Sequence, residues 1–374
     1  MKLLYLMTEP FGIGGVQSDL LTLGRDLARK GHVVYVATTP GVLLDELTSR
    51  GVRHVDIDFH VKGPVAFWRA CKRLRDLVTR ERIEMIAPQS VRSAMIAKFA
   101  LRLLSWRWRR LPIVVTIHNI HTPLHFRYAG RILRHCADFV IFESNYERTR
   151  VTASGLPQHR SVVVHSGIDI ERFAAASPVS QLLERYRLDP SRHLVFGIVA
   201  RLSEEKGHRY LIDAFARVVS NLPHARLMIV GDGPLRDSIV EQVNLLKLHG
   251  QVILAGAQRD IPSYLQLLDV FVLASTRESF PLAAREAMAA GKAVIAPRIG
   301  GCGEVVDDGV TGLLVEPASA EALAKAMLAI ARDDNYRKFG VAGQARARRL
   351  FSCESWVDGD ERLYLQYLRP LQHQ

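Results

Sequence analysis

The chain is short of sulfur chemistry and of long apolar runs. Its four cysteines, Cys71, Cys136, Cys302 and Cys353, are scattered through 374 residues with no C-x-x-C pair. That argues against a zinc site and a disulfide framework, and for a reducing compartment, the cytoplasm. No stretch approaches the ~18 uninterrupted apolar residues of a membrane-spanning helix. A signal peptide is not expected either, because the apolar run Leu3–Met7 is cut short by Glu9, Pro10 and Gly12. Acidic residues are scarce in one place only. Residues 1–170 hold 25 Lys+Arg against 14 Asp+Glu, whereas the remainder holds 25 against 24, so nearly all of the net charge of +12 lies in the first half. Such an asymmetry calls for a negatively charged partner.

What is present is an alternation of strands and helices, begun twice. Leu3–Met7 reads as a buried strand, Gly12-x-Gly14-Gly15 as a glycine loop, Val16–Arg29 as a helix and Val33–Ala37 as the next strand. This β-α-β opening suits a doubly wound parallel sheet, whose glycine turn lets the backbone approach a ligand. As a dinucleotide loop it is incomplete, because the third glycine is missing and no acidic residue closes the strand at Thr38-Thr39. The spacing further predicts helices near 65–80 and 92–104 and strands at 83–87, 113–118 and 138–142. His118 stands at the C-terminal end of strand 113–118, where open α/β sheets bind ligands.

Between Arg92 and Arg110 lie six basic and no acidic residues, interleaved with Phe99, Trp106 and Trp108. Lys98, Arg102, Trp106, Arg107, Trp108, Arg109 and Arg110 have the composition of an interfacial anchor on anionic membrane, repeated more weakly around Trp68, Lys72, Arg73 and Arg75. The alternative is an amphipathic helix with a solvated basic face. No nucleic-acid motif is recognisable.

The second half restarts after Ala174–Pro178. Strand Leu194–Ala200 leads into Arg201-Leu202-Ser203-Glu204-Glu205-Lys206-Gly207, then a helix over Tyr210–Val219. Leu227–Pro234 reads as a strand entering a glycine turn at Gly231, Val252–Ala257 as a strand and 319–331 as a helix. A further helix runs from Trp356 toward Leu368. Val270–Ala274 reads as a fully buried strand, followed by the turn Ser279-Phe280-Pro281 and an Ala-rich helix ending at Gly291. Glu278 falls in the strand-to-helix loop and Glu286 some two turns along, roughly 12 Å away at ~1.5 Å per residue. Carboxylates that far apart cannot share one proton but suit two ends of an elongated polar ligand.

Glu278-x7-Glu286, with Gly291–Ala296 and Gly300–Val306 behind it and Arg201-Leu-x(3)-Lys206-Gly207 before it, resembles the donor site of family 4 GT-B glycosyltransferases. The resemblance covers almost the whole chain, most specifically residues 194–315. It implies two Rossmann-like doubly wound domains facing across a cleft: residues 1–170 for the acceptor, 171–350 for the nucleotide-sugar donor, and a final helix from 351 crossing back to the first. By the same resemblance Arg201 and Lys206 lie on the donor diphosphate, Glu278 on the donor sugar, Glu286 on the ribose and His118 near the reacting sugar. Gly14, Gly15, Gly231, Ser279, Phe280, Pro281 and Leu282 would border the donor, and main-chain groups near Ala257 and Arg259 the base. Pro281 stands where many relatives carry glycine and removes a backbone N–H.

The expected activity is retaining transfer from a UDP- or GDP-sugar to a glycan or lipid-linked acceptor in cell-envelope polysaccharide or glycolipid synthesis. No Asp-x-Asp metal motif is read in the sequence, so no metal or cofactor is expected, and front-face attack by the acceptor is the expected course. Competing readings are a nucleotide-sugar epimerase on the same fold, a non-catalytic binding protein and a dinucleotide-dependent oxidoreductase.

Overall fold

The computed structural model describes residues 1–12, 14–60, 63–103, 110–118, 123–175 and 179–368. Two compact units divide it: Met1–Gly167 together with the segment from Cys353 onward, and Ile168–Ser352.

Among the described residues the first unit carries seven strands: β1 (Lys2–Leu6), β2 (Val33–Thr38), β3 (Arg53–Asp56), β4 (Met85–Pro88), β5 (Val114–Ile117), β6 (Phe139–Phe142) and β7 (Ser161–Val163). All pairings are parallel, in the orders β3-β2-β1-β4 and β5-β6-β7, and a parallel bridge between Ile86 and Ile113 joins the two groups. Leu3, Leu4, Tyr5 and Leu6 are fully buried, as befits a strand covered by helices on both faces. The helix over Val91–Arg102 starts at a reciprocal cap in which Ser90 Oγ accepts from Ser93 N–H and Ser93 Oγ accepts from Ser90 N–H. The last helix, Cys353–Leu368, belongs to this unit and buries Trp356, Val357, Tyr364 and Leu368 in its core.

The second unit is one six-stranded parallel sheet in the order β10-β9-β8-β11-β12-β13, with β8 (Leu194–Val199), β9 (Ala225–Val230), β10 (Val252–Gly256), β11 (Val270–Val272), β12 (Ala293–Pro297) and β13 (Gly312–Val315). The order reverses between β8 and β11, the switch point at which open α/β sheets leave a crevice beyond their strand ends. The Ala-rich helix spans Leu282–Ala289, with Pro281 just outside it as N-cap rather than in its first turn. It closes through Gly291 at φ +74°, whose N–H bonds Met288 O at 3.0 Å while Lys292 N–H bonds Ala287 O at 2.9 Å. This is the glycine-dependent end that satisfies two of the last carbonyls. Elsewhere the elements expected from sequence fall within a few residues of their predicted bounds, but helices Pro123–Cys136, Asn145–Ala153, Arg236–Leu245 and Asn335–Leu350 and strand β3 have no counterpart in that expectation. Among the described residues, no helix is long and apolar enough to cross a membrane.

Candidate donor site and the His118 cluster

In the second unit the residues singled out by sequence gather at the C-terminal edge of the sheet. Arg201 and Lys206 follow β8, Gly231 follows β9, Ala257 and Arg259 follow β10, and Glu278–Leu282 follow β11. Lys206 Nζ donates to Glu278 Oε1 at 2.7 Å, and Ser275 Oγ donates to the same oxygen at 2.7 Å. The Glu278 side chain is only 9% exposed and that of Lys206 26%. Arg201 is exposed, and its guanidinium has no ion-pair or hydrogen-bond partner among the described residues. Ala257 and Arg259 are exposed, while Ser279, Phe280 and Pro281 are buried.

The loops holding these groups are fastened to one another through backbone. Thr276 N–H bonds Glu205 O at 2.8 Å, Gly301 N–H bonds Ser279 O at 2.7 Å, and Leu202 N–H bonds Asp232 O at 3.1 Å. Glycine is required at two of the crossings. A Cβ on Gly231 (φ +141°) would stand 1.9 Å from Ala200 O, and one on Gly300 (φ +53°) 1.8 Å from Glu278 O. The first locks the β9 turn on the β8 loop, and the second presses the β12 turn onto Glu278 itself.

Glu286 lies on the helix that leaves this loop. Burial pushes its carboxyl up to about 7, against the lowering effect of Arg285 and then Arg172. Part of the side chain still meets solvent, although the surroundings of the carboxyl are dense. Arg285, overlooked in the sequence, is 1% exposed and lies with its guanidinium carbon 4.3 Å from the centre of the Phe280 ring. It therefore supports from below the turn that carries Ser279–Leu282. His208 is pushed down to about 4 by desolvation and by the Lys206 charge. It is neutral at pH 7 and adds no charge beside Lys206.

In the first unit Gly14 is the N-cap of the helix Gly15–Arg29. His118 follows β5, between Gln89 after β4 and Glu143 after β6. Its Nδ1 lies 2.8 Å from Glu143 Oε1 and its Nε2 2.7 Å from Gln89 Oε1, with Asp19 Oδ2 3.7 Å from Nδ1. All four side chains are buried. Sequence reasoning found His118 but missed Gln89, Glu143 and Asp19. One signal could have found the first two: each stands just past the end of a strand adjacent to β5. Asp-x-Asp spacings do occur outside the donor half, at Asp56–Asp58, both exposed, and at Asp358–Asp360, where Asp358 pairs with Lys30 and Asp360 is buried.

Of the basic aromatic stretch, Trp106, Arg107, Trp108 and Arg109 lie outside the described residues. Arg102 and Arg110 are exposed and Lys98 half-buried. The helix Pro64–Glu81 packs on Val91–Arg102 through Phe67 and Trp68, whose rings lie 5.2 and 5.3 Å from that of Phe99. Val65, Trp68, Met95 and Leu103 of this layer are exposed by 40% or more.

Family models match both halves of the chain: "Glycosyl transferases group 1" over residues 185–345 and "Glycosyltransferase Family 4" over residues 13–172. The chain is a glycosyltransferase of the family 4, GT-B type. It is 26% identical over 389 aligned positions to an N-acetyl-alpha-D-glucosaminyl L-malate synthase of Bacillus anthracis, covering 99% of this chain and 98% of that protein. To a phosphatidyl-myo-inositol mannosyltransferase of Mycobacterium tuberculosis it is 29% identical, over 90% and 89% of the two chains. Its fold is that of HepE from Anabaena, solved in complex with UDP (TM-score 0.85, 23% identity, 98% and 100% covered). It is also that of sucrose-phosphate synthase from Thermosynechococcus elongatus (0.83, 21%, 99% of each).

Proposed function

We propose that this glycosyltransferase moves a sugar from a UDP- or GDP-sugar, with retention of anomeric configuration and without a metal ion, to a glycan or lipid-linked acceptor in cell-envelope or glycolipid synthesis. The observation that carries the reading is the Lys206–Glu278 contact at 2.7 Å beside the unengaged Arg201. Breaking a sugar–phosphate bond builds negative charge on the phosphate and positive charge on the anomeric carbon. Lys206, held in place by Glu278 before the reaction begins, meets the first as a point charge, and the exposed Arg201 adds a planar fork. The N-terminus of helix Leu282–Ala289 adds its partial positive charge.

In this reading Glu278 is shared between Lys206 and the hydroxyls of the donor sugar, and Glu286 takes the ribose hydroxyls. Charge neutralisation by two side chains and a helix end accounts for leaving-group stabilisation without a metal. In this reading the acceptor attacks from the side the nucleotide leaves, since Glu278 is bonded to Lys206 and Ser275 and Glu286 is given to the ribose, which leaves neither as covalent nucleophile.

The donor class is supported by HepE, solved with UDP, UDP and glucose, and UDP-glucose. The acceptor class is supported by relatives named for lipid-linked products. They include the M. tuberculosis phosphatidyl-myo-inositol mannosyltransferase, a Streptococcus pneumoniae alpha-monoglucosyldiacylglycerol synthase and an Escherichia coli galactosyltransferase acting on a diphosphoundecaprenol. A cytoplasmic protein lying on the inner face of the cell membrane would reach such acceptors, and the exposed apolar and basic layer around Trp68 supports that placement.

The test is incubation with UDP-, GDP- and ADP-sugars with and without EDTA. Release of nucleoside diphosphate from one UDP- or GDP-sugar, insensitive to EDTA, and a product of the donor's anomeric configuration are expected. Inverted product, or loss of turnover in EDTA, would overturn the corresponding part.

A further inference from the structure

Three adjacent parallel strands of the first unit deliver Gln89, His118 and Glu143 side by side. A neutral imidazole offers one donor and one acceptor; the imidazolium offers two donors. Here Nδ1 faces a carboxylate oxygen at 2.8 Å and Nε2 faces the amide oxygen of Gln89 at 2.7 Å. The amide cannot turn its nitrogen to the ring without giving up the bond from Gln89 Nε2 to Ala87 O at 3.0 Å. With an acceptor fixed on each side, only the doubly protonated ring satisfies both contacts.

We propose that Glu143, backed by Asp19 and Glu147, is a positioning residue that holds His118 as an imidazolium, so that the ring serves sugar transfer as a fixed cation and cannot act as its base. This deepens the reading above and rests on His118 lying near the reacting sugar. The charged groups facing the ring come from every element packed on it. Asp19 is on helix Gly15–Arg29, Glu143 is beyond β6, Glu147 is on helix Asn145–Ala153 and Asp360 is on the last helix. Desolvation alone would lower the ring's pKa. The Glu143 charge and hydrogen bond, then Asp19 and Glu147, outweigh it and push the ring up to about 9. Burial pushes Asp360 up to about 7, and its buried Oδ1 has no hydrogen-bond partner among the described residues. Beyond it Tyr364 and Tyr5, their hydroxyls 3.4 Å apart, are held well above the phenol range by burial and stay neutral.

The consequence concerns the proton of the acceptor hydroxyl. In transfer, the new bond forms between acceptor oxygen and anomeric carbon as the bond from that carbon to the phosphate oxygen breaks. The electron pair leaves on the phosphate, and the hydroxyl proton passes to that same oxygen. His118 takes no part in that proton's path. It contributes positive potential at the end of β5.

Histidine NMR on the full-length protein tests this without turnover, with the His118 resonance assigned from His118→Gln. At pH 7.5 the ring is expected to be doubly protonated in the wild type and neutral in Glu143→Gln, with Glu143→Asp close to wild type. In the same Glu143→Gln protein kcat/KM should recover toward the wild-type value at low pH and fall about tenfold per pH unit above the lowered midpoint. A neutral wild-type ring at pH 7.5 overturns the proposal, as does a uniform loss across pH 5.5–8.5 with the ring still charged. If Glu143→Gln does not fold, Asp19→Asn replaces it: a lowered midpoint supports the proposal and an unmoved one overturns it. Because the titration needs no substrate, a charged ring in a protein that yields inverted product would leave this inference standing and remove the retaining mechanism instead.

Discussion

Lys206 and Glu278 are 72 residues apart in the chain, yet the Lys206 ammonium donates to a Glu278 oxygen at 2.7 Å at the switch point between β8 and β11. The pair is two-thirds or more shielded on both sides, so each charge acts in a medium of lower polarity than water. Lys206→Ala removes the cation that, in the proposed mechanism, meets the departing phosphate. The expected loss in kcat is about 10²–10³-fold, the range found when one preorganised transition-state donor is deleted. Circular dichroism and thermal melting should show the fold intact. Turnover within a few-fold of wild type would contradict the assignment.

Glu286 gives a pH signature with a defined sign. Its folded-state carboxyl is raised to about 7 from an ordinary value near 4.5. The folded protein therefore binds this proton more tightly than the unfolded chain does, and stability is lost as pH rises from about 4.5 through 7. Glu286→Gln should be indistinguishable from wild type in thermal melts near pH 4.5. It should be more stable by roughly 1–3 kcal/mol at pH 8, somewhat below the full shift at 1.36 kcal/mol per unit because the side chain keeps partial solvent access. Donor binding should show the opposite preference in the wild type. Ribose hydroxyls donate to a carboxylate, so nucleotide affinity measured by calorimetry should strengthen between pH 6 and 8, and this trend should vanish in Glu286→Gln.

Gly300 couples the β12 turn to Glu278 through bare backbone. Gly300→Ala would place a methyl group 1.8 Å from Glu278 O at a φ of +53°, so the turn must move and take Glu278 with it. The expected cost is about 1–3 kcal/mol of stability, with a drop in kcat/KM larger than any change in Kd for the free nucleotide. Gly250→Ala, where an added Cβ meets nothing within 4 Å and which lies outside the donor site, is the control. Equal effects of the two substitutions would refute the coupling.

How much of this was legible in the sequence depended on how local each feature is. The strand–loop–helix grammar, the Arg201–Lys206 loop and the Glu278/Glu286 spacing each lie within a few dozen residues, and glycine, proline and apolar runs announce them. The His118 cluster is not local. Gln89, Glu143 and Asp360 are 29, 25 and 242 positions from His118, and only the parallel order β4-β5-β6 and the docking of the last helix bring them to it. Arg285 was hidden for another reason. An arginine in an Ala-rich helix reads as a solvated charge, whereas its stacking on Phe280 depends on the turn before Pro281. The helix Asn335–Leu350 was missed because it carries little apolar face: of its sixteen residues Gly340, Gly343 and Ala347 are the buried ones.

The layer built by helices Pro64–Glu81 and Val91–Arg102 supplies the last prediction. Trp68 and Met95 are 50% and 45% exposed, and Arg69, Lys72, Arg73, Arg92 and Arg102 are exposed on the same two helices. Aromatic and apolar side chains ringed by cations match an anionic membrane surface, to which each basic side chain contributes about 1 kcal/mol. Replacing Arg69, Lys72 and Arg73 with glutamate should therefore weaken co-sedimentation with phosphatidylglycerol-containing vesicles by at least tenfold. Binding of the wild type should fall steeply between 50 and 300 mM salt. Turnover of a water-soluble acceptor should be unchanged in the triple variant, since none of the three residues belongs to the donor site or the His118 cluster. Salt-insensitive binding, or none to anionic vesicles, would remove the membrane from the account and leave a soluble glycan as the acceptor.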